Sequence, residues 1–356
     1  IFASVKTKRM KETVIYNATV IPVNGDMDVF PGGSVHIKGN TIQEVSPVRL
    51  EREGAEYVDA QGMVVMPGFV NAHTHLPMVL LRGYADDLSL REWLNDHIFP
   101  AEARWMTPEN VAVASRFALV EMIKSGTTCF NDMYFFEEVI AREAKRAGVR
   151  CVVGESVIDF PTPSFRTADE GIARAESILR EWKGDSLVTP SVCAHSPYTC
   201  SRDTLLKAKQ LAETYAATLQ IHLSETAAEV DDLLARAGKR PAEWLYSLGL
   251  LDSRTVCAHG VWLDAKEVGL LGLCGSSVAH CPKSNLKLAS GVADVATYLG
   301  RGLNVALGTD GAASNNALDM VEEMRFAALL AKVRSDDPAA LNARQADHIA
   351  SAAQLL

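Results

Sequence analysis

The hydrophobic rhythm of the chain changes near residue 66. Before that point, residues 13–20, 33–38 and 41–45 are rich in β-formers. Asn24-Gly25, Pro31-Gly32-Gly33 and Gly39-Asn40 separate them as turns. The pattern predicts a small β module over 13–66. Beyond it, short apolar runs alternate with stretches of helical spacing. The runs predict strands at 69–72, 127–131, 151–154, 188–193, 219–223, 255–258, 277–279 and 304–307. The stretches predict helices at 109–124, 136–146, 168–182, 202–215, 228–237, 264–273, 292–301 and 320–333. Strand followed by helix, eight times over, is the pattern of an α/β fold of the TIM (β/α)8 barrel type. A doubly wound open sheet alternates in the same way. However, no Gly-x-Gly-x-x-Gly turn follows the first strand, and the number of units fits closure better.

Polar residues mark the ends of these strands. His73 and His75 end the first, Asn131 and Asp132 the second, and His195 follows the fourth. His222 and Glu225 end the fifth, His259 the sixth, His280 the seventh and Asp310 the eighth. The C-terminal ends of barrel strands meet at one mouth, where active sites are built. Six of the nine histidines lie at such ends, so residues more than two hundred positions apart are expected to converge.

The chemistry of that set is specific. In His73-Thr74-His75, residues i and i+2 of a strand point the same way, so two imidazoles can face one point. With His222 and Asp310 they supply three neutral nitrogens and one carboxylate. That donor set suits a catalytic zinc-type ion with a position left for water. Glu225 lies three residues after His222, at the start of a loop. A carboxylate there can take a proton from water acidified by a metal and pass it to a substrate nitrogen. Asp310 can both hold metal and orient the attacking water. His259 can hydrogen-bond that water and stabilise charge at the attacked carbon.

Composition narrows the class. The net charge is −9, and no basic stripe offers a footprint for nucleic acid. No apolar run is long enough to span a membrane. The stretch 1–12 is basic without a secretory pattern, and Met10 is read as nearer the natural start. The seven cysteines are odd in number and mostly sit in apolar runs without Cys-x-x-Cys spacing. They are expected to be free thiols in a reducing cytoplasm.

Several motifs together carry a resemblance. They are the segment 67–75, Arg82-Gly83-Tyr84-Ala85-Asp86-Asp87, Glu92-Trp93-Leu94 with Pro100-Ala101-Glu102, and the segment 126–133. To these add His195-Ser196-Pro197-Tyr198, His222-Leu223-Ser224-Glu225-Thr226, the segment 284–288 and the segment 308–316. Over about residues 13–335 the chain resembles the amidohydrolase superfamily, in its cytosine-deaminase-like branch. Within that branch it is most similar to 5-methylthioadenosine/S-adenosylhomocysteine deaminases.

The resemblance implies His73, His75, His222 and Asp310 as metal ligands, Glu225 as proton shuttle and His259 as a second polar group on the water. It implies Trp93 facing a purine, Glu102 on the ribose hydroxyls, and His195 and Ser314 touching the nucleoside. Arg166 is matched to an arginine on the amino-acid tail of S-adenosylhomocysteine. Two-metal relatives carry a bridging lysine at the end of strand four. Here Val192-Cys193-Ala194-His195 has none. One divalent metal per chain is therefore expected, zinc in preference to Fe2+.

The resemblance also implies a small β-sandwich that the N-terminal strands share with a C-terminal β segment. The chain departs from this after residue 335, where 336–356 reads as helical, so the C-terminal part of the sandwich is expected to be missing. The resulting expectation is a metal-dependent hydrolytic deaminase, cytoplasmic and homo-oligomeric, with a small-molecule nucleoside as partner. Water attacks C6 of an adenine ring, and ammonia leaves the inosine analogue. Glu102 favours a ribose-bearing substrate, because a carboxylate can accept two hydroxyl hydrogen bonds. The alternatives are an aminohydrolase of guanine, cytosine or triazine rings, triazine chlorohydrolases included, and a non-catalytic barrel.

Overall fold

A computed structural model describes residues 11–351. Met10 and residues 352–356, on which two of the sequence readings bear, lie outside them. The chain divides into two compact units, with the boundary between Pro67 and Gly68.

The first unit is a sheet of β1 (Glu12–Val20), β2 (Phe30–Lys38), β3 (Thr41–Ser46), β4 (Glu56–Asp59) and β5 (Val64–Val65). Its order is β3-β2-β1-β4, with β5 also pairing β1. Ala18, Val20, Val35 and Ala60 form its small core. Among the described residues this unit has one sheet, not the two layers of a sandwich.

The second unit is built from parallel strands and the helices between them. The strands are β6 (Phe69–His75), β7 (Thr127–Tyr134), β8 (Arg150–Val157), β9 (Val188–Pro190), β10 (Val192–Ala194), β11 (Leu219–Leu223), β12 (Thr255–His259), β13 (Ser277–His280), β14 (Asn304–Leu307) and β15 (Asp310–Gly311). Neighbours follow chain order from β6 round to β14, apart from β9, which pairs beside β8. Closure comes from β15. It leaves the end of β14 and pairs with β6, Asp310 opposite Thr74 and Gly311 opposite His75. A TIM-like barrel results, with apolar cores between the sheet and its helices.

Several boundaries differ from the expectation. β6, β7, β12 and β13 run on through the polar residues read as their terminators. Those residues stay in the ladder because the barrel buries and pairs them. Asn131 and Asp132 are therefore inside β7, which continues to Tyr134. The fourth strand is split between β9 and β10 at Pro190 and Ser191. Pro190 has no N–H to donate to the ladder. The helix expected at 292–301 is shortened to Val295–Gly300, because Asp294 caps it. Residues 336–351 do not stand apart from the barrel. Ala346, Ile349 and Ala350, on the helix Ala343–Ser351, are buried in its core.

Residues 76–105 follow β6 and bring Met78, Leu90, Trp93, Leu94, Phe99 and Glu102 to the cavity at the mouth. A 3-10 turn, Leu76–Leu81, leads to a helical run of Leu90–Glu92, a π-helical stretch Trp93–Ile98 and an α-helix Phe99–Trp105. Glu102 is thus on a helix and almost fully buried, not in a loop. Asn95-Asp96 and Pro100 disguise this run in the sequence.

Candidate active site

His73 and His75 extend from the last turns of β6, and β15 brings Asp310 beside them. His75 Nε2 is 3.1 Å and His73 Nε2 3.6 Å from Asp310 Oδ1. β11 adds His222, whose Nε2 is 3.4 Å from that of His75. All are buried.

Ring nitrogens show what such a cluster is fit to hold. His75 Nδ1 lies 2.6 Å from the Met133 carbonyl and His222 Nδ1 2.7 Å from the His195 carbonyl. A carbonyl only accepts, so each Nδ1 carries the hydrogen and each Nε2 offers a lone pair to the centre. Two lone pairs at that separation repel unless a cation lies between them. His73 Nε2 is buried and makes no hydrogen bond. Two overlapping triads, His73–His75–Asp310 and His73–His222–His259, have donor atoms within 4.8 Å of one another. The residues present therefore fit a metal ion of the imidazole-and-carboxylate type.

Electrostatics support the neutral state for His73 and His222. Burial holds His73 at about 4, against the pull of Asp310, and drives His222 well below the ordinary histidine range. Both are thus neutral imidazoles at neutral pH, the form that binds metal. For His75 burial is outweighed by Asp310, which raises its affinity for a proton. Burial would raise Asp310, but the neighbouring His73 and His75 outweigh it and hold the carboxyl well below the carboxylate range. Its Oδ2 accepts from Ser284 Oγ at 2.6 Å and Ser314 Oγ at 2.9 Å.

The other predicted residues divide into three groups. Trp93, Glu102, His195, Glu225 and His259 line one cavity at the mouth with His75, His222 and Asp310. Glu225 Oε2 is 3.6 Å from His259 Nε2, and burial raises its proton affinity. Burial lifts Glu102 to about 7, and the Tyr134 hydroxyl, donating to it at 2.5 Å, opposes the shift. Ser314 is placed differently. It lies against Asp310 and is not among the cavity-lining residues. Arg166 is exposed ahead of the helix Ala168–Glu181, and it too is absent from the cavity lining.

Sequence reasoning missed Tyr134 and the task of Asn285, whose Oδ1 accepts from His259 Nδ1 at 2.9 Å. Tyr134 had one signal: it stands two residues after Asp132 and so shares its side of β7.

Comparison with known proteins decides the family. Residues 64–352 match the model of the amidohydrolase family. The chain belongs to the amidohydrolase family. One amidohydrolase relative, the 5-methylthioadenosine/S-adenosylhomocysteine deaminase of Thermodesulfovibrio yellowstonii, is 44% identical over 94% of this chain and 78% of its own. The 5′-deoxyadenosine deaminase of Methanothrix thermoacetophila is 46% identical over 83% of this chain and 70% of its own. A crystal structure of an adenosine deaminase from Xanthomonas campestris, with bound zinc, superposes with a TM-score of 0.95. It has 40% identity and covers 97% of this chain and 80% of that one.

Proposed function

We propose that this amidohydrolase hydrolytically deaminates an adenosine-type nucleoside to its inosine analogue and ammonia. The substrate is 5′-methylthioadenosine or S-adenosylhomocysteine, with adenosine and 5′-deoxyadenosine as further candidates. The observation that carries the reading is one cavity lined by imidazoles, Asp310, Glu225 and, on a separate helix, the buried Glu102. The names of the relatives agree with it.

His73, His75, His222 and Asp310 would hold one divalent metal, zinc in preference to Fe2+. When bound, the metal supplies acidification of water and charge stabilisation. Glu225 takes the proton from the attacking water and delivers it to the ring nitrogen next to C6. Burial favours this role, because it keeps the carboxyl ready to hold a proton. His259, oriented by Asn285, hydrogen-bonds the attacking oxygen. Trp93 packs against the purine, and Glu102 accepts hydrogen bonds from the ribose hydroxyls. His195 contacts the nucleoside from the end of β10. Ser314 supports the site through Asp310, and Arg166, outside the cavity lining, would meet only the amino-acid tail of S-adenosylhomocysteine.

No helix among the described residues is long and apolar enough to cross a membrane. The seven cysteines are free, which suits the cytoplasmic reading. The same reading takes the protein as self-associating, which sedimentation velocity checks.

Ammonia release from 5′-methylthioadenosine, S-adenosylhomocysteine, 5′-deoxyadenosine, adenosine, guanine and cytosine tests the reading. Turnover of the nucleosides with none of the free bases is expected. Turnover of guanine or cytosine alone would replace it with the base-only alternative.

A further inference from the structure

We propose that Glu229 is a positioning residue that aims the Glu225 carboxylate by clamping the backbone on which it stands. This rests on the reading of Glu225 as the proton shuttle. Glu225 follows β11 after a single turn residue, Ser224, which adopts the left-handed φ of 50°. That conformation is strained for a non-glycine residue and persists where the surroundings enforce it. The enforcing group is a carboxylate. Glu229 Oε1 accepts from the Ser224 amide at 2.9 Å, and Oε2 accepts from the Glu225 amide at 2.8 Å. The Trp262 amide donates to the Ser224 carbonyl at 2.9 Å and fixes the other side of the kink.

The way the helix begins makes this arrangement distinctive. Thr226 caps the helix Ala227–Ala237, and its hydroxyl accepts from the Glu229 amide at 3.2 Å. A threonine with a glutamate three residues on normally forms a reciprocal box, in which the glutamate reaches back to the amide of the cap itself. Here the Glu229 carboxyl reaches beyond the cap and takes the two amides before it at 2.9 and 2.8 Å. Ordinary helix capping does not require that. An anchor for the preceding turn does.

The Glu225 side chain itself is loosely held. Ser290 Oγ donates to it at 3.4 Å, at the long end for a hydrogen bond, and His259 Nε2 stands at 3.6 Å, beyond that range. A group that collects a proton at one atom and delivers it at another needs a fixed root and a free carboxylate. Glu229 supplies the root without tying the tip.

The test is a double-mutant cycle with hydrogen–deuterium exchange beside it. Glu229→Ala should lower kcat for 5′-methylthioadenosine by ~10-fold or more, with KM and metal content little changed. On a Glu225→Gln background the same substitution should cost almost nothing, because the group it positions is already disabled. An equal loss on both backgrounds would assign Glu229 a general structural role and overturn the proposal. Should Glu229→Ala not fold, Glu229→Gln serves. It keeps one acceptor and sets its NH2 against an amide N–H. Exchange at the Ser224 and Glu225 amides should rise in either variant while the rest of β11 stays protected. Unchanged exchange there would overturn the clamp whatever the substrate proves to be. Failure of every nucleoside in the assay, with exchange raised as expected, would instead reject the functional reading and leave the clamp standing.

Discussion

Glu225→Gln keeps the shape of the shuttle but cannot take a proton, so turnover should fall by at least ~10²-fold with metal retained. Near wild-type turnover would reject the assignment. Glu102 gives a sharper residue-level prediction. If it binds the ribose hydroxyls, Glu102→Ala should cut kcat/KM for 5′-methylthioadenosine by ~10²-fold. That is the loss expected when two hydrogen bonds to a charged group disappear. A 2′,3′-dideoxy analogue should be a poor substrate for both proteins, and equal losses on the two substrates would mean that Glu102 supports the fold instead. The carboxylate form is the one that accepts, and burial lifts Glu102 to about 7. Hence kcat/KM should fall as pH drops through about 7. The Tyr134 hydroxyl lowers that value, so Tyr134→Phe should move the limb to higher pH. An unmoved limb would show that another group sets it. The metal-binding set was legible in the sequence because period-two spacing and strand ends are local signals, as His73-Thr74-His75 illustrates. Tyr134 was not, because its partner Glu102 lies 32 residues away on a helix that the sequence hides.

At the scale of elements, the barrel strands were legible and the cover over its mouth was not. Strands such as β11 and β14 are apolar runs bounded by turns, and their register follows from parallel pairing. The run from Leu90 to Trp105 contains a π-helical stretch, which has no periodic signature in sequence. Closure by β15 was equally hidden, since two residues carry no pattern of their own. It depends on how closely the β14–β15 link approaches β6. A Cβ on Gly308 would stand 2.8 Å from the His73 amide nitrogen and carbonyl oxygen. Neither backbone atom can swing aside, so Gly308→Ala should cost at least about 1–3 kcal/mol and weaken metal binding through His73. Gly269 is the control. It lies inside the helix Ala265–Cys274 with nothing within 4 Å of its would-be Cβ. Gly269→Ala should be neutral or stabilising by up to about 1 kcal/mol. Urea unfolding of both variants checks the pair, and a stable Gly308→Ala protein with full metal content would show that the barrel opens there more easily than its contacts imply.

For the whole molecule, the metal site joins parts of the chain that are farthest apart in sequence. His73 and His75 come from the first barrel strand, His222 from the middle and Asp310 from the segment that closes the ring. An ion bound by all four would be a cross-link of the folded state that the unfolded chain lacks. At a hundredfold excess over its dissociation constant such a ligand adds about 2.7 kcal/mol. Chelation should therefore lower the melting temperature by roughly 4 °C. The loss should exceed the lost binding in one respect: the facing Nε2 atoms of His75 and His222 would be left with nothing between them. His222→Ala, which removes one of that pair, should melt low, respond little to chelator and hold little metal. With no lysine at the end of β10 to bridge a second ion, elemental analysis of the untreated protein should give about one transition metal per chain. Two equivalents, both required for activity, would show that the His73–His222–His259 triad binds an ion of its own alongside the one held by His75 and Asp310.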